Sequence, residues 1–171
     1  MAKRERKIIY VYAGWKGLKE PSQLIGILSA DVGRGAEVFS FAYDDKWIVE
    51  NAWYELDPDL QLYAGPQHTQ KSNFGVFLDS CPDRWGRVLM ERREALLARQ
   101  EKRIEKKLYE SDYLLGVFDG HRMGAIQFKT YPEGPFLHDN KEFSSPPWIK
   151  LRELEQASLK LEENGIEDSP E

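Results

Sequence analysis

Aromatic residues occupy every second position from Phe39 to Tyr43, and small or polar residues fill the positions between them. Successive side chains of a β-strand point to opposite faces, so this alternation predicts a strand with one aromatic face. Ile8 to Ala13 and Leu24 to Ser29 are further short runs of strand-forming residues. The first third of the chain is therefore predicted to form a small antiparallel sheet.

Turn-forming residues separate these runs. Asp31 to Gly35 is a turn cluster that precedes the aromatic strand, and Asp44-Asp45-Lys46 follows that strand. Trp47-Ile48-Val49 is predicted to be the return strand of a hairpin. Three or four antiparallel strands with little helix between them predict a curved sheet or a partial β-barrel, and the helices that follow make the fold class α+β.

The pattern becomes helical from Asp83 to about Leu108. Trp85, Leu89, Arg92 and Leu96 recur at spacings of four, three and four residues, which places the apolar members on one stripe of a helix. We expect this stripe to face the core, with Trp85 as a buried side chain that holds the helix in place.

Local roles follow for the residues at the start of this helix. Pro82 and Asp83 provide good start chemistry, because a carboxylate is favourable near the positive end of a helix. Gly86 permits a close backbone approach. Arg87 is expected to pair with a carboxylate, either Asp79 or Asp119.

The same region is unusually basic. It holds nine basic and four acidic residues, a net charge of +5 in a chain whose overall net charge is -5. The basic residues are Arg84, Arg87, Arg92, Arg93, Arg99, Lys102, Arg103, Lys106 and Lys107, and the acidic ones are Glu91, Glu94, Glu101 and Glu105. Three interpretations stay open: a solvated face, docking of an acidic protein or an acidic part of this chain, and nucleic-acid binding.

The last third mixes short elements with connectors. Ser111-Asp112 is predicted to cap a short helix that begins at Tyr113, and Ala125 to Phe128 is predicted to be a buried strand. Residues 132–147 hold four prolines and are read as a connector.

A further helix is predicted from Trp148 to Asn164, because Leu151, Leu154 and Leu161 share one helical face, with Ser158 completing the stripe. Residues 166–171 form an acidic tail. The predicted organisation is a β-rich part over 1–80, a helical and mixed part over 81–165, and the tail.

Residues that carry out chemistry are sparse. His68, His121 and His138 are far apart, and no pair has a metal-ligand spacing. Cys81 is expected to be a buried, inert thiol, because no activating base is close in sequence. The glycines form no phosphate-binding loop, so we expect no catalytic, cofactor-binding or metal-binding residues in this chain.

Composition limits the compartment. One cysteine excludes an internal disulfide and a multi-thiolate metal site. The mean hydropathy is -0.61, and no apolar run approaches the ~20 residues that a membrane-spanning helix needs. These features predict a cytoplasmic protein without a membrane partner.

Two stretches resemble a known family. Phe77, Pro82-Asp83 and Trp85-Gly86-Arg87 resemble a signature of the N-terminal region of HipA-like proteins. Leu114-Leu115-Gly116, with Asp119, Arg122, Gly124-Ala125 and Phe128 after it, resembles the next conserved segment of that region. Cys81 and Ile126 stand where leucine is usual, and neither change alters burial.

The resemblance implies part of a serine/threonine protein kinase toxin of bacterial toxin–antitoxin modules. In that family a β-rich N-terminal subdomain packs on a kinase core, and a DNA-binding antitoxin is the partner. ATP and Mg²⁺ are implied only for a kinase core, whose residues have no counterparts here. The motif residues implied to build the fold or an interface are Pro82, Asp83, Trp85, Gly86, Arg87, Leu115, Gly116, Asp119, Arg122, Gly124 and Ala125.

The leading hypothesis is a non-catalytic module that binds the kinase core, in cis or in trans, or the antitoxin. The alternative is a stand-alone nucleic-acid or effector-binding domain that uses the basic helix over 84–107. That alternative predicts salt-dependent binding that is lost on charge reversal of Arg99, Lys102, Arg103 and Lys106.

Overall fold

The computed structural model describes residues 5–15, 18, 22–33, 35–117 and 125–137. In chain order the elements are β1 (Glu5–Ala13), β2 (Gln23–Gly33), β3 (Ala36–Tyr43), α1 (Asp45–Glu50), β4 (Pro66–His68), α2 (Gly75–Asp79), α3 (Arg84–Gln100), α4 (Glu110–Leu115) and β5 (Ile126–Lys129). The helix predicted over 148–164, the acidic tail, His121 and His138 lie outside the described residues.

The strands form one five-stranded antiparallel sheet in the order β4-β3-β2-β1-β5. Leu28 of β2 pairs with both Ile9 of β1 and Phe41 of β3, while Val11 pairs with Phe128 of β5. An antiparallel sheet accompanied by a few helices is the α+β class that the sequence predicts. The predicted strand at Ala125 to Phe128 is confirmed as β5, which begins one residue later.

The core lies on one face of this sheet. The predicted aromatic row is confirmed, because Phe39, Phe41 and Tyr43 are all buried on β3. Phe74 and Phe77, from the segment around α2, pack against the row and are fully buried. The strand pattern was informative because alternate side chains of a strand report burial directly.

The prediction of a hairpin strand at Trp47-Ile48-Val49 is wrong, because these residues belong to α1. Asp44 is the N-cap, and its carboxylate accepts hydrogen bonds from the backbone amides of Lys46 at 3.0 Å and Trp47 at 3.4 Å. This cap favours a helix over the strand preference of the three residues. The helix buries Trp47 completely and leaves Val49 exposed, and β4 takes the place beside β3.

Helix α3 ends at Gln100, so the prediction that it continues to about Leu108 is wrong. Lys102 adopts a left-handed conformation with φ of 52°, and the amide of Arg103 donates to the carbonyl of Ala98 at 2.9 Å. The amide of Lys102 donates to the carbonyl of Arg99 at 3.3 Å, which completes a Schellman motif. Position 102 is a lysine and not the glycine that commonly marks the end of a helix, so the sequence did not indicate that α3 ends here.

Helix α4 begins at Glu110, three residues before the predicted start at Tyr113. The backbone amide of Tyr109 donates to the Asp112 carboxylate at 3.0 Å. Asp112 therefore stabilises the helix start from its third position and is not the residue that precedes the helix. Ser111 and Tyr113 are both buried.

Candidate interaction face on the long helix

The first turn of α3 has the geometry that its sequence predicts. Asp83 is the N-cap, and its Oδ1 accepts a hydrogen bond from the amide of Gly86 at 2.7 Å. A Cβ added to Gly86 would lie 2.7 Å from Cβ of Pro82, which is closer than side chains pack. Glycine at this position lets the helix start directly against the proline.

Trp85 does not hold the helix against the core, and this prediction is wrong. Trp85 is 61% exposed, Leu89 is 48% exposed and Leu96 is 54% exposed. Among the residues of α3, the side chain buried in the protein is that of Ala98. Periodicity established that the large apolar side chains share a face, but the tertiary contacts turn that face toward solvent.

Arg87 attaches α3 to α4 on the side of α3 away from the exposed apolar side chains. Its guanidinium makes two hydrogen bonds with the Glu110 carboxylate, at 2.6 and 2.8 Å, and its Cζ lies 4.7 Å from the centroid of the Tyr113 ring. Hydrogen bonding to Glu110 raises the pKa of Arg87. The prediction that Asp79 is the partner is wrong, since Arg87 pairs with Glu110, and Asp119 lies outside the described residues.

Two further contacts join α3 to α4. The Tyr113 hydroxyl donates to Glu91 at 2.6 Å, and burial followed by this hydrogen bond raises the pKa of Tyr113 to about 12. A Cβ on Gly116 would clash with Cε of Met90, so glycine allows the close approach of the two helices at this point. The side of α3 that faces α4 is thus fixed by polar and close contacts.

The structure brings the two motif stretches together at this junction. Arg87 comes from the first stretch, and Gly116 comes from the second. Leu115 packs partly buried against the core. Ala125 lies apart from them, next to β5, where its carbonyl accepts from the amide of Gly14 at 2.7 Å. Asp119, Arg122 and Gly124 fall outside the described residues.

We use the name α3 face for the outward stripe of Trp85, Leu89, Arg92, Leu96 and Arg99. On a helix with 3.6 residues per turn these five positions fall within an arc of about 80°. All five side chains belong to exposed residues. The α3 face therefore combines large apolar groups with positive charge.

The acidic residues of α3 lie outside this arc and have partners elsewhere. Glu91 accepts from Tyr113, and both oxygens of Glu94 accept from Arg103, at 2.5 and 3.0 Å. Hydrogen bonding from Arg103 lowers the pKa of Glu94 to about 2. The positive charge of Arg92 and Arg99 thus has no acidic neighbour from α3 on the same face.

The predicted continuous basic helix over 84–107 is corrected by these contacts. Arg103 lies beyond the end of α3 and pairs with Glu94 and Glu101, and Lys106 pairs with Asp112 at 3.0 Å. Two of the four basic residues named for nucleic-acid binding are therefore neutralised within the chain. Such pairing reduces the charge that is available for phosphate contacts.

Sequence reasoning missed a charged cluster between β1, β3 and α4. Lys7 Nζ donates to Ser111 Oγ at 2.7 Å and lies 2.9 Å from Oδ1 of Asp112, while the Ser111 hydroxyl donates to Glu37 at 2.5 Å. Burial opposes ionisation of Asp112, but hydrogen bonds from Lys7 and from the Tyr109 amide outweigh it and lower its pKa. Ser111 lies more than 70 positions away from both Lys7 and Glu37, so no local pattern in the sequence signals this cluster.

A serine beside a lysine can be a nucleophile with its base, but this arrangement opposes such chemistry. Ser111 is completely buried. Lys7 donates to the Ser111 hydroxyl and forms an ion pair with Asp112, while that hydroxyl donates to Glu37, so the hydroxyl proton does not point toward the lysine. The cluster fastens α4 to the sheet.

A groove of about 450 Å³ opens beside the junction of α3 and α4. Its lining residues are Glu91, Glu105, Lys106, Lys107, Leu108 and Tyr113. Opposite charges from the same wall neutralise one another, so the groove offers no single-sign site for a charged ligand. Across the described part of the chain, no three His, Cys, Asp or Glu side chains are grouped to hold a metal ion.

His68 and Cys81 also have defined places. His68 is exposed and pairs with Ser40 at the end of β4. Cys81 is half-buried, with its Sγ 4.0 Å from the carbonyl of Glu110. The prediction that Cys81 is buried is therefore correct only in part.

Comparisons with known proteins found no matching family model, curated protein or solved structure. Within the described ranges, no helix has both the length and the apolar character needed to cross a membrane.

Proposed function

We propose that this chain is the non-catalytic N-terminal module of a HipA-like serine/threonine protein kinase toxin. The module binds the kinase core, in cis or in trans, through the α3 face, and it positions or restrains that core. The observation that carries the proposal is the exposure of Trp85. The residues on either side of it in the motif, Asp83, Gly86 and Arg87, all have structural partners within the chain.

An exposed tryptophan among leucines and arginines has the composition of a protein-binding site. Tryptophan and arginine are enriched among the interface residues that contribute most to affinity, and the centre of an interface is apolar. Trp85 supplies such a centre, with Leu89 and Leu96 beside it. Arg92 and Arg99 favour a partner surface that carries carboxylates.

The fixed back of α3 supports the same role. Arg87, Met90 and Glu91 all contact residues of α4 or the segment next to it. A helix held on one side presents its other side with little loss of entropy on binding, which favours affinity. In this proposal ATP and Mg²⁺ bind the kinase core, phosphotransfer takes place there, and the DNA-binding antitoxin is the second partner in the cytoplasm.

Co-purification tests the proposal. The chain is co-expressed with a tagged HipA-like kinase core encoded in the same or the neighbouring reading frame, and the complex is isolated on the tag. We expect Trp85→Ala to reduce recovery of the chain at least tenfold. Trp53→Ala is the matched control, because Trp53 is 76% exposed but lies outside the α3 face.

Two outcomes contradict the proposal. The first is elution of the unmodified chain without the kinase core. The second is an equal loss of recovery with Trp53→Ala, which would place the interface elsewhere. Anisotropy of labelled duplex DNA under the same conditions examines the nucleic-acid alternative, for which tight and steeply salt-dependent binding is the signature.

A further inference from the structure

We propose that residues 148–162 of this same chain bind the α3 face when no partner occupies it. This segment lies outside the described residues, and its sequence predicts an amphipathic helix. The proposal shares with the proposed function the premise that the α3 face is a binding surface. It adds a competitor for that surface within the chain.

The apolar patterns of the two partners match. Leu151, Leu154 and Leu161 fall on one face of the predicted helix over about three turns. On α3, Trp85, Leu89 and Leu96 are exposed over a comparable length. Two helices with exposed apolar stripes gain stability by packing those stripes together, since both are removed from water.

The acidic residues that follow the docking segment complement the charge of α3. Helix α3 contains five basic and two acidic residues, a net charge of +3. Residues 148–162 contain three basic and three acidic residues and have no net charge, whereas residues 163–171, which continue from them, contain four acidic residues and no basic one, a net charge of -4. Opposite net charges on two connected segments favour their association.

The spacing of individual charges also agrees. Arg92 and Arg99 are seven residues apart on the α3 face, and Glu155 and Glu162 are seven residues apart at the edge of the leucine stripe. Seven residues rise about 10.5 Å along a helix, so both pairs can align when the two helices lie side by side. Glu155 and Glu162 directly follow Leu154 and Leu161 in the sequence, so they lie at the edge of the leucine stripe on the predicted helix.

The connector is long enough for this docking. Ten residues, 138–147, separate Leu137, the last described residue, from Trp148. Extended chain of that length spans about 35 Å, while a domain of this size has a radius of gyration of about 14 Å. A tether of this length also keeps the segment at an effective concentration on the order of millimolar, so a weak contact is sufficient for occupancy.

The function of such docking is to cover Trp85 and its neighbours until a partner displaces the segment. An uncovered apolar and basic surface invites non-specific association. The kinase core then binds the α3 face only where its affinity exceeds that of the tethered segment. The apparent affinity for the core is lowered by the fraction of molecules in the covered state.

Hydrogen exchange of the full chain, read by mass spectrometry on peptides that cover 148–162, tests the proposal. An isolated helix of about 15 residues is marginal in water, so an undocked segment exchanges near the intrinsic rate. Docking is expected to slow exchange at least tenfold. Leu89→Glu is expected to abolish the protection, whereas Val49→Glu, at an 81% exposed position of α1, leaves it unchanged.

A charge swap separates direct contact from an indirect effect. The double substitution Arg92→Glu with Arg99→Glu is expected to reduce protection of 148–162, and so is Glu155→Arg with Glu162→Arg. Combining all four restores it. Restoration requires that the two sets of charges face one another, and its absence contradicts the proposal.

Other results also overturn the inference. Exchange of 148–162 at the intrinsic rate in the unmodified chain excludes docking, and protection that survives Leu89→Glu places the segment elsewhere. Protection that rises with protein concentration assigns the occupant to a second copy. These exchange measurements need no kinase. If residues 148–162 are unprotected but the chain still co-purifies with the kinase core, only this inference is refuted. If residues 148–162 are protected but the chain does not co-purify with the core, only the proposed function is refuted.

Discussion

Neutralising Glu110 gives the sharpest test of how α3 is attached. Arg87 and Glu110 retain side-chain exposures of 28% and 23%, so the pair is shielded from most of the solvent. Two charges about 4 Å apart attract by about 4 kcal/mol at an effective dielectric constant of 20. Desolvation of both groups offsets roughly half of this attraction, which agrees with the range of about 1.5–3 kcal/mol for hydrogen bonds to charged groups.

Glu110→Gln keeps the shape of the side chain and removes its charge. We expect the free energy of unfolding to fall by about 2 kcal/mol, which corresponds to a decrease in Tm of about 4–8 °C for a chain of this length. Urea titration and calorimetry measure both quantities. The matched control is Asp79→Asn, because Asp79 is exposed and is the partner that the sequence suggested for Arg87.

The control is expected to stay within about 0.5 kcal/mol of the unmodified chain, as is usual for a surface substitution. A loss from Asp79→Asn that equals the loss from Glu110→Gln would refute the reasoning, because it would make Asp79 the true partner. A double-mutant cycle with Arg87→Met adds a second check. The coupling energy between positions 87 and 110 is expected to be about 1–3 kcal/mol.

Three further predictions follow from the local geometry. Asp83→Ala removes the N-cap of α3 and is expected to lower the free energy of unfolding by about 1 kcal/mol. Chemical denaturation should show that Asp83→Asn retains most of this stability. Gly26→Ala forces a Cβ against the carbonyl oxygen of Ala42 on β3 and is expected to cost at least about 2 kcal/mol, whereas Gly33→Ala meets nothing within 4 Å and should be nearly neutral. Because the pKa of Asp112 is lowered on folding, its ion pair with Lys7 contributes stability at pH values above 3.8, the usual pKa of an aspartate, and this stability is lost as the pH falls through the lower pKa of the folded protein. Unfolding free energies measured from pH 6 to pH 2 should therefore depend less on pH in Asp112→Asn, and an unchanged slope would contradict this assignment.

The elements that sequence reasoning predicted well are those whose pattern reports burial directly. Phe39, Phe41 and Tyr43 alternate with small residues, and the alternation fixed both their strand and their buried face. Asp83 was equally informative, since a capping carboxylate acts on amides two or three residues away. In both cases the determining interaction is local.

The errors have a different physical origin. Trp47 has a strand preference that Asp44 overrides through its cap, so a single side chain reversed a propensity argument. Trp85 lies on a true apolar stripe, but helical periodicity carries no information on which side of the helix meets the core. The stripe direction was set by contacts from Arg87 to Glu110, 23 residues later.

The cluster of Lys7, Glu37, Ser111 and Asp112 has a mechanical consequence for a partner that binds Trp85. A force applied to α3 would be transmitted through the Arg87–Glu110 ion pair to α4, and from α4 to β1 and β3. Polar contacts therefore link α3 through α4 to β1 and β3. A partner that displaces α3 is expected to displace these two strands with it.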